Sequence, residues 1–466
     1  MHDEIGLIGL GPMGRGLAAN MKSQGVHVCA WEPSAQIRSL SQVSALGIAL
    51  ADDAHDLVRS LQPGRIILLM VRSGPAVDAC LAALTPHLSP RDVVIDAGNS
   101  HPQDTERRQR QLSERNLTLM NIGVSGGPSG ARSGPAIMAG GPFEAWDRVR
   151  PLLERVSARF DDEPCADHFG TGAAGHFVKL VHNGIEYAVM QALADVHLLL
   201  TSACGLPGAR AGEIFAELNE TPAGGFLTQI AAESAACPDP HGDGLLIDSV
   251  DDRAVQNGTG AWSVTAASEA GVAVPSIAAA VGFRAFSANA AFRRRTAPKQ
   301  TPATDAFPEA AEVSALVAPA ISAATAASFQ QGFALLSETG NRFGAPLSLC
   351  RIARVWRAGS ILQGRMTEAL ATALNNHPPL AGNPRIEHLE SVAAQGLEAL
   401  RRLNVIGITA GLPLPGLNAS LTYLDGFGDR PLSTRFIQVL RDRFGAHGFR
   451  RLDGSEGHGP WQGTEP

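Results

Sequence analysis

Residues 4–20, EIGLIGLGPMGRGLAAN, decide the fold of the N-terminal half. The apolar run EIGLIG (4–9) reads as a short buried strand, and the glycines after it turn the chain into a helix. Gly9, Gly11 and Gly14 make a G-x-G-x-x-G pattern around Pro12 and Met13. The first glycine permits the tight turn, the second lets the backbone approach a pyrophosphate, and the third lets helix pack on strand. The pattern alone is weak. Its place between a strand and the N-terminus of a helix, whose free amides can hold an anion, strengthens it. A second strand, VHVCAWE (26–32), ends at Glu32, where dinucleotide folds set an acid against the adenosine ribose. An ordinary loop carboxylate is the plainer reading of Glu32, and position and register favour the ribose role.

Further strand patterns at IILLMV (66–71) and VVIDAG (93–98) alternate with helical ones, which predicts a doubly wound parallel sheet of the Rossmann type over residues 1–175. The loops after these strands lie at the carboxyl edge, where ligands bind, and carry Val71, Arg72 and Asn99. The glycine-rich run NIGVSGGPSGARSGPAIMAGG (121–141) suggests backbone amides wrapped around a ligand, more than a flexible turn. Ser125, Gly126 and Gly127 are its candidate substrate contacts.

The chemistry concentrates in TGAAGHFVKLVHNGIEYAVM (171–190). If the run is helical from Phe177, then Lys179, His182, Asn183, Glu186 and Tyr187 share one stripe, with Val178, Leu180, Val181, Ile185 and Val189 on the other faces. A solvated face carrying a Lys to Glu ion pair is the commoner reason for a charged stripe. It has no use for His, Asn and Tyr interleaved with the charges, and Gly170, Gly172 and Gly175 at the entry permit close approach. A catalytic face is the reading that accounts for all five.

Beyond Met190 the pattern is helical and alanine-rich, with breaks at 237–244 and across the Pro and Thr-rich segment 295–310. The runs KLVHNGIEYAVMQALADVHLLL and SALVAPAISAATAASFQQGFALL share length and apolar spacing, a hint of a duplicated helical unit. QNGTGAW (256–262) reads as a turn exposing Thr259, and Arg284 falls on the next helix. LRDRFGAH supplies Arg441 and His447 before a loose tail. An all-helical domain over 176–435 and a tail over 436–466 are expected.

A net charge of −7 argues against a nucleic-acid binder, so an anionic substrate must be met by a local cluster of cations. The six cysteines have no C-x-x-C spacing, so neither a zinc site nor a disulfide framework is expected, and no metal is assigned. No signal-like segment precedes the first strand, and no uninterrupted apolar run approaches about 20 residues. A cytoplasmic protein without membrane partners is the expectation.

Together GVSGG (123–127), HFVKLVHNGIEY (176–187), NGTGAW (257–262) and RDRFGAH (441–447) resemble the 6-phosphogluconate dehydrogenase family over nearly the whole chain. The shorter β-hydroxyacid dehydrogenases share the glycine loop, the SGG segment and the Lys to Asn spacing but lack the long helical half. The resemblance implies Lys179 as general base and Glu186 as general acid. It implies that His182, Asn183, Asn99 and Ser125 to Gly127 orient a sugar acid, and that Tyr187, Thr259 and Arg284 hold its phosphate. It further implies a homodimer in which Arg441 and His447 serve the neighbouring subunit's site.

Two departures stand out. NADP-dependent members of the family end the second strand with Asn-Arg-Ser/Thr, where this chain has Glu32, Pro33 and Ser34. A carboxylate there repels a 2′-phosphate and accepts from free ribose hydroxyls, so NAD is expected over NADP. The family's lysines flanking the GTG turn are Asn257 and Ala261 here, and its acidic pair after SGG is Pro128 and Ser129. The substrate is therefore either 6-phosphogluconate held less tightly or another anionic 3-hydroxy acid.

Overall fold

The computed structural model describes residues 3–256, 258–295, 309–376 and 386–461. It contains two compact units, Met1–Leu421 and Thr422–Pro466.

The first unit opens with β1 (Glu4–Ile8), whose last four residues are fully buried. The following strands are β2 (His27–Trp31), β3 (Ala49–Leu50), β4 (Ile66–Leu69), β5 (Val93–Asp96), β6 (Thr118–Ser125) and β7 (Ala136–Gly140). A short hairpin, β8 (Arg159–Phe160) and β9 (Glu163–Pro164), stands outside the main sheet, and β10 (Ala166–His168) completes it. The order β10-β7-β6-β5-β4-β1-β2-β3 places β1 beside β4, the reversal point of a doubly wound sheet. All neighbours are parallel except β6 and β7, which run antiparallel with Val124 opposite Ile137. β4 and β5 are buried along their whole length, as continuous Ile, Leu and Val runs require when helices cover both faces.

The glycine-rich run 121–141 is more ordered than a wrapped loop. Its first part is β6, its middle the helix Gly127–Ser133, and its end β7.

A central helix, Ala174–Leu198, leaves the sheet edge and runs into the helical half. Its start is pinned to β5 and β6. The His176 N–H donates to Asn121 Oδ1 at 2.9 Å, and the ring bonds the Thr105 hydroxyl at 2.7 Å and the Asp96 carbonyl at 3.1 Å. Farther along, buried Asp195 accepts the N–H groups of Gly416 and Leu417 at 2.7 and 3.0 Å, capping the helix Pro415–Asp425.

The helical half repeats itself. The central helix and the long helix Ala310–Thr339 are each followed by a short helix, Gly208–Glu217 and Leu349–Val355. Next come Phe226–Ala235 and Arg365–Asn376, tied to each other by a bridge between Gly225 and Gly364. Each series closes on a helix followed by one that begins with proline: Thr259–Ala270 then Pro275–Ser287, and Glu387–Thr409 then Pro415–Asp425. The sequence hint of duplication is therefore a structural repeat. The long helix is apolar enough by length and composition to cross a bilayer, yet most of it, from Ala320 to Leu336, is buried among its neighbours. That burial is what an all-round apolar helix needs in a protein core.

In the second unit the helix Thr434–Gly445 is followed by a two-strand ribbon, β11 (Phe449–Arg450) and β12 (Glu456–Gly457). Its centre is Asp442, whose carboxylate accepts from the Gly448 and Gly459 N–H groups, His458 Nδ1 and Trp461 Nε1 at 2.6–2.9 Å.

Candidate active site

The nucleotide end is built by close contacts that only glycine allows. Gly9 has φ +97°, and a Cβ on it would stand 2.4 Å from the Met70 carbonyl oxygen and 2.9 Å from a Val71 methyl. A Cβ on Gly14 would stand 1.9 Å from the Gly9 carbonyl oxygen. By contrast a Cβ on Gly11 would meet nothing within 4 Å, so the middle glycine faces open space at the N-terminus of the helix Pro12–Ser23. That is the arrangement a pyrophosphate needs. Pro12 and Met13 form the first turn of the helix.

Glu32 is 6% exposed and turns its carboxylate toward this loop. Its two oxygens accept the Leu10 N–H at 2.6 Å and the Ser34 N–H at 2.8 Å, which locks the end of β2 to the glycine turn. Val71 and Arg72 follow β4, and Asn99 follows β5, all at the carboxyl edge of the sheet. The Asn99 loop is braced from behind: Asp96 accepts the Gly98 N–H and the Ser100 hydroxyl, and the buried Arg108 guanidinium reaches Ser100, Asp78 and the Gly74 carbonyl.

The central helix presents Lys179, His182, Asn183, Glu186 and Tyr187 on one face, as its spacing predicts. Lys179 is 6% exposed and His182 fully buried, while the Glu186 side chain keeps 20% of its surface. His182 Nδ1 lies 3.3 Å from Lys179 Nζ, 3.3 Å from Asn183 Oδ1 and 3.8 Å from Glu186 Oε2. Burial pulls the Lys179 ammonium down to about 8, with the Glu186 carboxylate pulling the other way. Burial also raises the Glu186 carboxyl, opposed by Lys179 and Arg284, and holds the His182 ring neutral. The face therefore offers an amine that can lose its proton and a carboxyl that can keep one.

Three other elements close around it. Ser125, at the end of β6, places its hydroxyl 3.1 Å from His182 Nε2, and Gly126 and Gly127 lead into the next helix. Asn183 Nδ2 donates to the Thr259 hydroxyl at 3.1 Å. Thr259 is the first residue of a helix and is 3% exposed, so the expected exposed turn is instead a buried helix start. The Arg284 guanidinium carbon lies over the Tyr187 ring, 3.8 Å from its centroid. Asn257 lies outside the described residues, while Ala261 and Pro128 sit on the helices Thr259–Ala270 and Gly127–Ser133. Arg441 and His447 belong to the second unit, on its helix and just beyond it.

A fourth element was not foreseen. Ser360, from the turn after the helix Leu349–Val355, brings its hydroxyl to 2.8 Å from His182 Nε2, and the fully buried Trp356 meets the imidazole edge-on at 5.2 Å. A cleft of about 320 Å³ opens beside this turn, lined by Gly126, Ser129, Gly130, Ser360 and Gln363 among others.

Residues 4–170 match the NAD binding domain of 6-phosphogluconate dehydrogenase, and residues 175–461 match the C-terminal domain of 6-phosphogluconate dehydrogenase. A Bacillus subtilis protein named 6-phosphogluconate dehydrogenase, NADP(+)-dependent, decarboxylating, is 34% identical over 97% of this chain and 97% of its own length. A decarboxylating 6-phosphogluconate dehydrogenase of Synechococcus elongatus is 36% identical over 98% of this chain and 99% of its own. The solved Plasmodium falciparum 6-phosphogluconate dehydrogenase, described in complex with NADP+ and with 6-phosphogluconate, superposes with a TM-score of 0.90 at 29% identity, over 98% of this chain and 100% of that one. The chain belongs to the 6-phosphogluconate dehydrogenase family of NAD(P)-dependent oxidoreductases.

Proposed function

We propose that this protein oxidatively decarboxylates 6-phospho-D-gluconate to D-ribulose 5-phosphate and carbon dioxide. The observation that carries this reading is the trio in which one buried imidazole nitrogen stands 3.3 Å from the Lys179 amine and 3.8 Å from the Glu186 carboxylate. A bound nicotinamide supplies the acceptor for the hydride from carbon 3. Lys179, free of its proton, takes the proton of the 3-hydroxyl. Once protonated it stabilises the charge that develops on that oxygen as carbon 1 leaves as carbon dioxide. Glu186 then delivers a proton to the former carbon 2.

His182, Asn183, Ser125, Gly126, Gly127 and Asn99 orient the sugar acid in this reading. Tyr187, Thr259 and Arg284 receive the phosphate, and Arg441 and His447 are supplied by the second subunit of a homodimer. Gly9, Gly11, Pro12, Met13, Gly14, Val71 and Arg72 cradle the cofactor. We favour NAD, because Glu32 and Pro33 stand where a 2′-phosphate would need a cation. The Bacillus subtilis relative is named as NADP-dependent, so an NAD preference would set this chain apart from it. A cytoplasmic place accords with the reading.

A second reading, oxidation of a different anionic 3-hydroxy acid, is favoured by Asn257, Ala261 and Pro128 in the substrate segments. Following NADH and NADPH formation with 6-phosphogluconate and with a panel of aldonic acids, together with carbon dioxide release, separates the two. Turnover of 6-phosphogluconate that improves in Asn257→Lys supports the first, and efficient turnover of another acid alone supports the second.

A further inference from the structure

The Ser360 hydroxyl is 1% exposed, comes from a turn 178 residues beyond His182, and makes the shortest hydrogen bond to that ring. Backbone donors fix the turn that carries it. The Leu362 N–H donates to Ser360 Oγ at 3.0 Å, the Ile361 N–H to Ser125 Oγ at 3.2 Å, and the Gly359 N–H to Gln363 Oε1 at 2.8 Å. Both hydroxyls at Nε2 thus belong to one rigid assembly, with the Trp356 edge against the ring.

The opposite nitrogen faces the reaction. Nδ1 is the hydrogen-bond partner that Lys179 Nζ finds among the described residues, at 3.3 Å. A buried N–H donor needs an acceptor, so a charged Lys179 requires the lone pair of Nδ1. A neutral Lys179 requires it too: if Nδ1 carried the proton, it would donate into the amine lone pair, the orbital that must take the substrate's proton. Asn183 Oδ1, 3.3 Å from Nδ1, can only accept and favours a proton on that nitrogen, so the two neighbours of Nδ1 pull the tautomer opposite ways. Only the tautomer protonated on Nε2 leaves the base competent in both states, and an acceptor at Nε2 is what tips the balance toward it.

We propose that Ser360 is a positioning residue: by accepting the Nε2–H of His182 it holds Nδ1 as acceptor for Lys179 and so leaves the amine lone pair to the substrate hydroxyl. This inference rests on the base role given to Lys179 above. The other charged groups near the ring and the amine are Glu186 on the same helix, 3.8 Å from Nδ1, and Arg284 over the Tyr187 ring, and no hydrogen bond to Nε2 comes from either among the described residues.

Two measurements on the full-length protein test it. In the first, histidine nitrogens are labelled with ¹⁵N and the His182 signals identified by their loss in His182→Gln. Wild type should show Nε2 protonated and Nδ1 bare, and Ser360→Ala should show a mixture of tautomers. In the second, Ser360→Ala should lower kcat on 6-phosphogluconate by about tenfold with KM changed less than about twofold, and Ser360→Cys, which keeps a weaker donor and acceptor at the same place, should recover most of the loss. A wild-type ring protonated on Nδ1, or a Ser360→Ala protein with unaltered tautomer and kcat, overturns the proposal. Absence of wild-type turnover on 6-phosphogluconate would count against the reaction assigned and leave the tautomer measurement to decide the role of Ser360.

Discussion

Gly123 lies directly beneath Lys179: a Cβ on Gly123 would stand 2.2 Å from the Cβ of Lys179 and 2.9 Å from its Cγ. The strand β6 can therefore carry no side chain at the point where the central helix crosses it, and the depth of the lysine in the site is set by that contact. Gly123→Ala forces helix and strand apart, and the atoms it meets are the rigid root of the lysine. We expect a stability loss of about 1–3 kcal/mol, the range for overpacking a close contact, read from the denaturation midpoint. Activity should fall much further than stability, because a displacement of about 1 Å in a catalytic group costs about a hundredfold in rate. A variant with wild-type kcat would show that Lys179 does not depend on this contact.

The pH profile follows from the two buried ionisations. With Lys179 as the proposed base and Glu186 as the proposed acid, the active form needs the amine unprotonated and the carboxyl protonated. Burial brings the lysine down to about 8 and the carboxyl up. Activity declines at low pH because the amine is charged, and at high pH because the carboxyl is ionised. In Glu186→Gln only the lysine titrates. We expect kcat to drop about a hundredfold and the alkaline decline to vanish. The lysine's own midpoint should lie lower than in the intact pair, because the carboxylate that raised Lys179 is gone. Retention of the alkaline limb would place the proton donor elsewhere.

Much of this site was legible because its parts are local in sequence. The stripe from Lys179 to Tyr187 needs only helical spacing, and the glycine turn needs only its neighbours in the chain. Ser360 and Trp356 were not legible. They meet His182 through a turn after a short helix, and no periodicity connects positions so far apart. Thr259 was read as exposed because N-G-T-G looks like a turn, whereas Gly258, in a left-handed conformation, starts a helix that buries the threonine against Asn183. The long helix Ala310–Thr339 contains no long uninterrupted apolar run because residues such as Ser, Thr and Gln break it. Ser322, Thr325, Ser328, Gln330 and Gln331 among them are themselves buried, and Gln331 is hydrogen-bonded to Ser276.

Cofactor choice is tested at the end of β2. Glu32→Asn with Pro33→Arg replaces a repelling carboxylate by an amide and supplies a guanidinium for a 2′-phosphate. We expect kcat/KM with NADP to rise at least about tenfold and that with NAD to fall. Glu32→Ala alone removes the acceptor of the Leu10 and Ser34 N–H groups and should cost about 1–3 kcal/mol of stability. A wild-type protein that already prefers NADP would remove the basis for the NAD assignment.

The second unit has its own acid sensitivity. Four donors, with the Gly459 N–H foremost, hold the Asp442 carboxyl well below the usual carboxylate range. Because the folded value is depressed, the stabilisation is present above the ordinary carboxylate pKa and is lost as pH falls through the depressed value. Asp442→Ala removes, at every pH, the carboxylate that accepts from Gly448, Gly459, His458 and Trp461, and should release the ribbon of β11 and β12. If Arg441 and His447 complete the neighbouring subunit's substrate site, that variant should raise KM for 6-phosphogluconate about tenfold or more while the KM for cofactor stays within about twofold. Trp461 fluorescence, taken as the difference from a Trp461→Phe background that keeps the other four tryptophans, reports the release. An unchanged substrate KM in a variant whose Trp461 signal shows the ribbon loosened would detach the second unit from substrate binding.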